Sequence, residues 1–87
     1  MNAHFQPDTI SLDQLKVGTK GRVASIAGID DSEMRRLQQF GFDEGVLVEL
    51  LHLGPFGRDP IAIRVGRMTV AIRRKHAVAV RVIPLAR

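Results

Sequence analysis

The sequence predicts a mostly β protein, a small partly open barrel of five short strands with one short helix inserted after the first strand. Three observations carry this expectation. The chain has 87 residues, enough for one small domain with a modest core. Apolar residues alternate with a period of two through most of the second half, in runs separated by Gly- and Pro-rich turns. Helical spacing is convincing only over residues 31–40. A lone sheet of this size would expose its edges, and curling it into a barrel removes most of them.

Taken in order, residues 1–9 read as a flexible tail, with Pro7 opposing regular structure. Ser11 and Gln14 have capping-box spacing and would open a single helical turn whose Leu12 and Leu15 face the core. Gly18 redirects the chain. A first strand follows over 19–27, with Val23 and Ile26 as core residues, and their odd spacing demands a bulge. Asp30 caps the helix at 31–40, and Glu33 stands at the reciprocal box position. Asp30, Asp31 and Glu33 also set negative charge against the positive end of the helix dipole. Met34, Leu37 and Phe40 share one face, and Gly41 fits a left-handed cap. So short a helix depends on docking.

The period then changes to two. Val46, Val48 and Leu50 share one face of a long strand over 45–53, with Leu47 and Leu51 on the other. Gly54-Pro55-Phe56-Gly57-Arg58-Asp59-Pro60 is a loop. Ile61, Ile63 and Val65 form a strand, Gly66-Arg67 a two-residue Gly-first hairpin turn, and Met68, Val70 and Ile72 the return strand. Arg73-Arg74-Lys75-His76-Ala77 reads as a short basic connection. Val78, Val80 and Val82 supply a last strand closed by Pro84. The domain thus spans 10–84, between the tail at 1–9 and a short C-terminal tail at 85–87.

Composition narrows the chemistry. With no Cys, disulfides, thiolate metal sites and cysteine nucleophiles are excluded. No apolar run approaches the roughly 20 residues of a bilayer helix. The start lacks the apolar stretch of a signal peptide, so a cytoplasmic location is expected. The net charge of +4 is unevenly spread: residues 58–87 carry eight basic groups against Asp59 alone, whereas residues 1–57 are net negative.

Enzymatic activity is not expected. Ser11, Ser25 and Ser32 occupy a cap, a strand and a helix start, and His4 lies in the tail, so no nucleophile is paired with a base. Helix capping accounts for Asp30, Asp31 and Glu33 without acid–base or metal chemistry. His4, His52 and His76 are far apart, which predicts no intrinsic metal site and no cofactor; a transient site shared with a partner is the alternative. A phosphate loop is also missing, because Gly54-Pro55-Phe56-Gly57 has no following Lys-Ser/Thr and leads into a strand.

Leu12-x-x-Leu15-x-x-Gly18, Val23-x-x-Ile26-x-Gly28, Arg36-Leu37-x-x-Phe40-Gly41-Phe42-x-x-Gly45, Gly54-Pro55-Phe56-Gly57-Arg58-Asp59-Pro60-Ile61 and Val70-Ala71-Ile72-Arg73-x-x-x-Ala77-x-x-Val80 follow one another in the chain. Together they resemble the ferrous iron transport protein A family, the FeoA-like domains, over about residues 10–83. The resemblance implies an SH3-like barrel. It also implies a small cytoplasmic accessory that contacts a membrane ferrous-iron transporter carrying a GTP-binding domain. Two positions depart from the family pattern. Arg58 intervenes between Gly57 and Asp59, and His76 precedes Ala77 where an acidic residue is common.

The basic C-terminal third invites partner binding. Arg64, Arg67, Arg73, Arg74, Lys75, Arg81 and Arg87 could be a solvated strand face, a docking surface for an acidic protein or anionic membrane, or a nucleic-acid surface. The four aromatics are all Phe and none is interleaved with the basic run, which counts against single-strand nucleic acid. Phe56, between Pro55 and Gly57, either plugs one end of the barrel or stands exposed as an interface anchor. The partner-binding candidates are therefore Phe56, Arg58, Arg73, Arg74 and Lys75. They would dock on the transporter; weak self-association is compatible with this, and membrane insertion is not. A small RNA- or DNA-binding barrel, or a regulatory module like those of metal-dependent repressors, is the alternative reading.

Overall fold

The computed structural model describes residues 8–85. Of the tail expected at 1–9, residues 1–7, including His4, lie outside the described residues, as do the last two positions, including Arg87. Strands β1 (Ile10–Ser11), β2 (Lys20–Ile26), β3 (Leu47–Leu53), β4 (Ile61–Val65), β5 (Met68–Ile72) and β6 (Val80–Pro84) join in one sheet, ordered β1-β6-β2-β3-β4-β5. Every pairing is antiparallel. Helix α1 (Asp31–Gln39) lies between β2 and β3, and a second, one-turn helix α2 (Arg74–Val78) between β5 and β6.

The expected strands are present, and the differences are local. A two-residue strand at Ile10–Ser11 is added, paired with Val82 and Arg81 of β6. Asp8 and Thr9 are described, and Thr9 is held: the Arg81 guanidinium donates to its carbonyl at 2.8 Å. At the other end, the Leu85 N–H continues the sheet onto the Lys20 carbonyl at 3.0 Å. The basic connection at 73–77 coils into α2, so Val78 ends a helix, half-exposed, instead of opening the last strand.

The bulge required by Val23 and Ile26 falls between Val23 and Ser25, where the β2–β6 register shifts. Ser11 does not cap the turn at Leu12–Gln14, which is a 3-10 turn; its hydroxyl donates to Asp13 instead. Asp30 does cap α1, accepting from the Glu33 N–H at 2.8 Å. At the far end Gly41 adopts φ +101°, and the Gly41 and Phe42 N–H groups return to the carbonyls of Gln38 (2.9 Å) and Leu37 (3.0 Å). This double closure buries Phe42 against Leu37. Phe42, rather than Phe40, is therefore the aromatic centre of the core, with Leu12, Leu50, Ile61, Ile63, Val80 and Val82 also fully enclosed.

The sheet edges are β1 and β5. The 3-10 turn continues β1, α2 follows β5, and the two turns pack together, which brings the edges of the barrel toward closure. Between them lies Asp13, the one buried charged side chain among the described residues.

Hydrogen bonds from the Glu33 N–H and the Ser32 hydroxyl hold the Asp30 carboxyl below its ordinary pKa of 3.8. A lowered folded value means the cap's contribution is complete above the ordinary carboxylate range and is lost as pH falls through the folded value. Asp30→Ala is thus expected to lower the melting temperature at neutral pH, with the gap to the parent closing in strong acid. Thermal melts of both chains between neutral pH and pH 2 check this, and a pH-independent gap would contradict it.

Candidate docking surface

The loop at 54–60 is folded tightly onto itself. A side chain at Gly54 would place its first carbon 2.4 Å from the carbonyl oxygens of both Asp59 and Pro60, so only glycine lets the two ends of the loop cross. Gly57 and Arg58 follow with φ of +66° and +69°, and the Asp59–Pro60 peptide is cis. The Phe56 N–H reaches the Asp59 carbonyl at 3.4 Å across the turn. Phe56 is 81% exposed and does not plug the barrel.

Asp59 ties this loop to α2. Its carboxylate accepts the Arg74 N–H at 2.9 Å, one of the orphan donors of the first helical turn. Asp59 thereby caps α2 from outside, since the residue at the cap position, Arg73, offers no acceptor. The result is an open groove of about 330 Å³ between Phe56, Asp59, Pro60 and Arg73.

The five predicted residues separate into two kinds. Phe56 and Arg73 are brought to one groove, with Arg58 exposed on the same loop. Arg74 and Lys75 are engaged with the fold. The Arg74 guanidinium sits 3.5 Å from the Asp13 carboxylate, and Lys75 lies 3.9 Å from Glu33. Other cations of the basic run are occupied as well: Arg64 pairs with Glu49 at 3.2 Å, and Arg81 holds Thr9. Among the described residues, Arg58, Arg67 and Arg73 make no ion pair. Of these three, Arg73 lines the Phe56 groove and Arg58 shares its loop, whereas Arg67 lies in the β4–β5 turn.

Sequence reasoning missed a second groove, of about 340 Å³, between α1 and the start of α2. Arg36, Arg73 and His76 stand around it, over Leu37, Phe40 and Ile72. His76 Nε2 lies 3.0 Å from the Glu33 carboxylate, which is thereby diverted from the reciprocal cap expected of it. Arg36 falls off the apolar stripe of α1, so its spacing points only to solvent; its meeting with Arg73 depends on the fold. His52 is exposed on β3. Among the described residues, no three His, Asp or Glu side chains gather to hold a metal, and no helix is long and apolar enough to cross a membrane.

The FeoA domain model matches residues 10–84. Among solved structures, the chain is similar to the FeoA protein from Chlorobium tepidum, with 31% identity and a TM-score of 0.80 over 88% of this chain and 71% of that one. It is similar also to zinc-complexed Stenotrophomonas maltophilia FeoA, a prokaryotic SH3 domain protein, at 32% identity and a TM-score of 0.72 over 84% and 88% of the two chains. A manganese-dependent transcriptional repressor shares the fold at 23% identity and a TM-score of 0.85, over 95% of this chain but 45% of that one. No curated protein matches the chain. With the family pattern running from the first strand to the last over an SH3-like barrel, the chain belongs to the FeoA domain family.

Proposed function

We propose that this chain is a non-enzymatic cytoplasmic accessory of ferrous iron uptake, docking through its 54–60 loop and the start of α2 onto a membrane ferrous-iron transporter with a GTP-binding domain. Family membership supports the ferrous iron setting, and the Stenotrophomonas relative is put forward as a ferrous iron transport activating factor. The observation that carries docking is Phe56, 81% exposed on a loop that Gly54 and Asp59 hold in place. With the loop backbone already ordered, docking has only the two torsions of the ring to fix, and aromatic and Arg side chains supply most interface hot spots. Arg58 and Arg73 beside it favour an acidic rim on the partner. Docking acts on the transporter to the extent that it binds one nucleotide state more tightly than another.

Phe56→Ala is expected to leave the melting temperature within a few degrees of the parent and to weaken transporter binding at least about tenfold. Co-purification from membranes with GTP, with GDP and without nucleotide, paired with thermal melts, reads both. A large loss of stability with unchanged recovery assigns the ring to folding instead. No recovery of the parent chain in any nucleotide state overturns the proposal.

A further inference from the structure

The open edge of the sheet at β5 is built to accept a strand. Pairing of Val65 with Met68 across the two-residue turn, Ile63 with Val70 and Ile61 with Ile72 directs the backbone of Met68, Val70 and Ile72 toward β4. The N–H and C=O groups of Thr69 and Ala71 then face away from β4, onto the edge, and no backbone partner meets them among the described residues. Both residues are exposed, small and uncharged, so the edge lacks the guarding charge that native sheets place there. Alongside it runs the groove floored by Leu37, Phe40 and Ile72. At its rim, Arg36 and Arg73 have no carboxylate partner among the described residues, whereas His76 and Lys75 already share Glu33.

We propose that β5 takes an extended acidic segment of a partner protein as an added strand. Main-chain bonds form to Thr69 and Ala71, and on the strand face turned to the groove two carboxylates four residues apart meet Arg36 and Arg73 while the apolar side chain midway between them enters the groove. The ladder demands a polypeptide, because a nucleic acid has no alternating N–H and C=O groups to complete it. A second copy of this chain would bring Arg36 and Arg73 against their own counterparts, so charge selects an acidic partner over self-pairing. The proposal rests on the docking reading only for its supply of a protein partner.

The test uses the full chain and a synthetic polythreonine heptapeptide with glutamate at its second and sixth positions and valine at its fourth, which sets all three on one strand face (the valine–glutamate peptide), with heptaglutamate, its valine–lysine counterpart and oligouridylate as comparisons. In the free chain, the Thr69 and Ala71 amides are expected to exchange with solvent much faster than those of Val70 and Ile72. The valine–glutamate peptide is expected to slow them and to shift the Arg36 and Arg73 resonances. Ala71→Pro removes an edge N–H that β4 does not use, so it should preserve the fold and weaken the peptide at least tenfold. Should that variant unfold, Arg36→Glu with Arg73→Glu reads the same site, by reversing the preference toward the valine–lysine peptide. Protected Thr69 and Ala71 amides in the free chain overturn the proposal, as does no shift at millimolar peptide. Equal binding of heptaglutamate, or tighter binding of oligouridylate at these residues, also overturns it. So does a dimer in sedimentation equilibrium that Ala71→Pro dissolves. Because no transporter is present, failure here leaves docking through Phe56 standing, and failed co-purification leaves this edge intact.

Discussion

Replacing Gly54 with alanine is expected to destabilise the domain by about 3 kcal/mol, at the upper end of overpacking costs. The melting temperature should fall by about 15 °C for a domain of this size. The added carbon meets Asp59 and Pro60 backbone oxygens at 2.4 Å, and neither is the yielding tip of a side chain. Relief requires the loop ends to part, which pulls Asp59 from the N–H groups of Arg74 and Phe56. The damage should therefore be both thermal and functional. Limited proteolysis over 55–59 should accelerate, and transporter recovery should fall with it. Gly57→Ala provides the contrast, since open space surrounds that position and only its φ of +66° opposes a side chain. Its cost is expected to be about 1 kcal/mol. Equal melting temperatures for the two variants would refute the crossing as the organising feature of the loop.

The second large effect lies at the closure of the barrel. The Asp13 side chain is 4% exposed and has two partners, the Ser11 hydroxyl and the Arg74 guanidinium. Arg74→Met keeps the aliphatic stem and strands the carboxylate. Losing one member of a fully buried pair costs about 3–5 kcal/mol, but Arg74 is itself 43% exposed and 3.5 Å away. A loss of about 2 kcal/mol is therefore expected. Adding Asp13→Asn to Arg74→Met removes the stranded charge and should recover part of that loss. Chemical denaturation of the four chains in the cycle measures the coupling. Additive effects would mean that the pair contributes nothing to closure.

Most of the barrel was legible in the sequence because alternation reports which strand face is buried. Ile61, Ile63 and Val65, and then Val70 and Ile72, lie inside as their period demands. Even the bulge could be placed, from Val23 and Ile26 alone. What escaped depends on partners distant in sequence. Ile10 and Ser11 are too few to show a period and become a strand only because Val82 and Arg81 lie opposite. Helix α2 has no apolar stripe of its own; its first turn is capped by Asp59, fifteen residues earlier. Glu33 satisfies the local capping rule in spacing, yet His76, 43 residues away, claims its carboxylate. Phe42 was hidden behind Gly41, because the cap reverses the chain and carries the next residue off the helix face.

The candidate docking residues were legible to the same degree. Phe56 was marked by its isolation among turn residues, and Arg58 and Arg73 by charge. Composition could not tell Arg73, free beside Phe56, from Arg74, committed to Asp13 some 61 residues earlier. The open β5 edge is invisible to local pattern, since an edge strand and an interior strand share the same period.

One carboxylate gives the two faces of this surface a common thermodynamic account. Asp59 belongs to the Phe56 loop yet caps the helix whose first residues border the β5 groove, and Arg73 lines both depressions. Two ligands that both favour the same arrangement of α2 would each raise the affinity of the other, and linkage makes the two changes equal in magnitude. A transporter bearing both an aromatic-binding pocket and an acidic segment would thus meet a receptor that reports whether one or both contacts have been made.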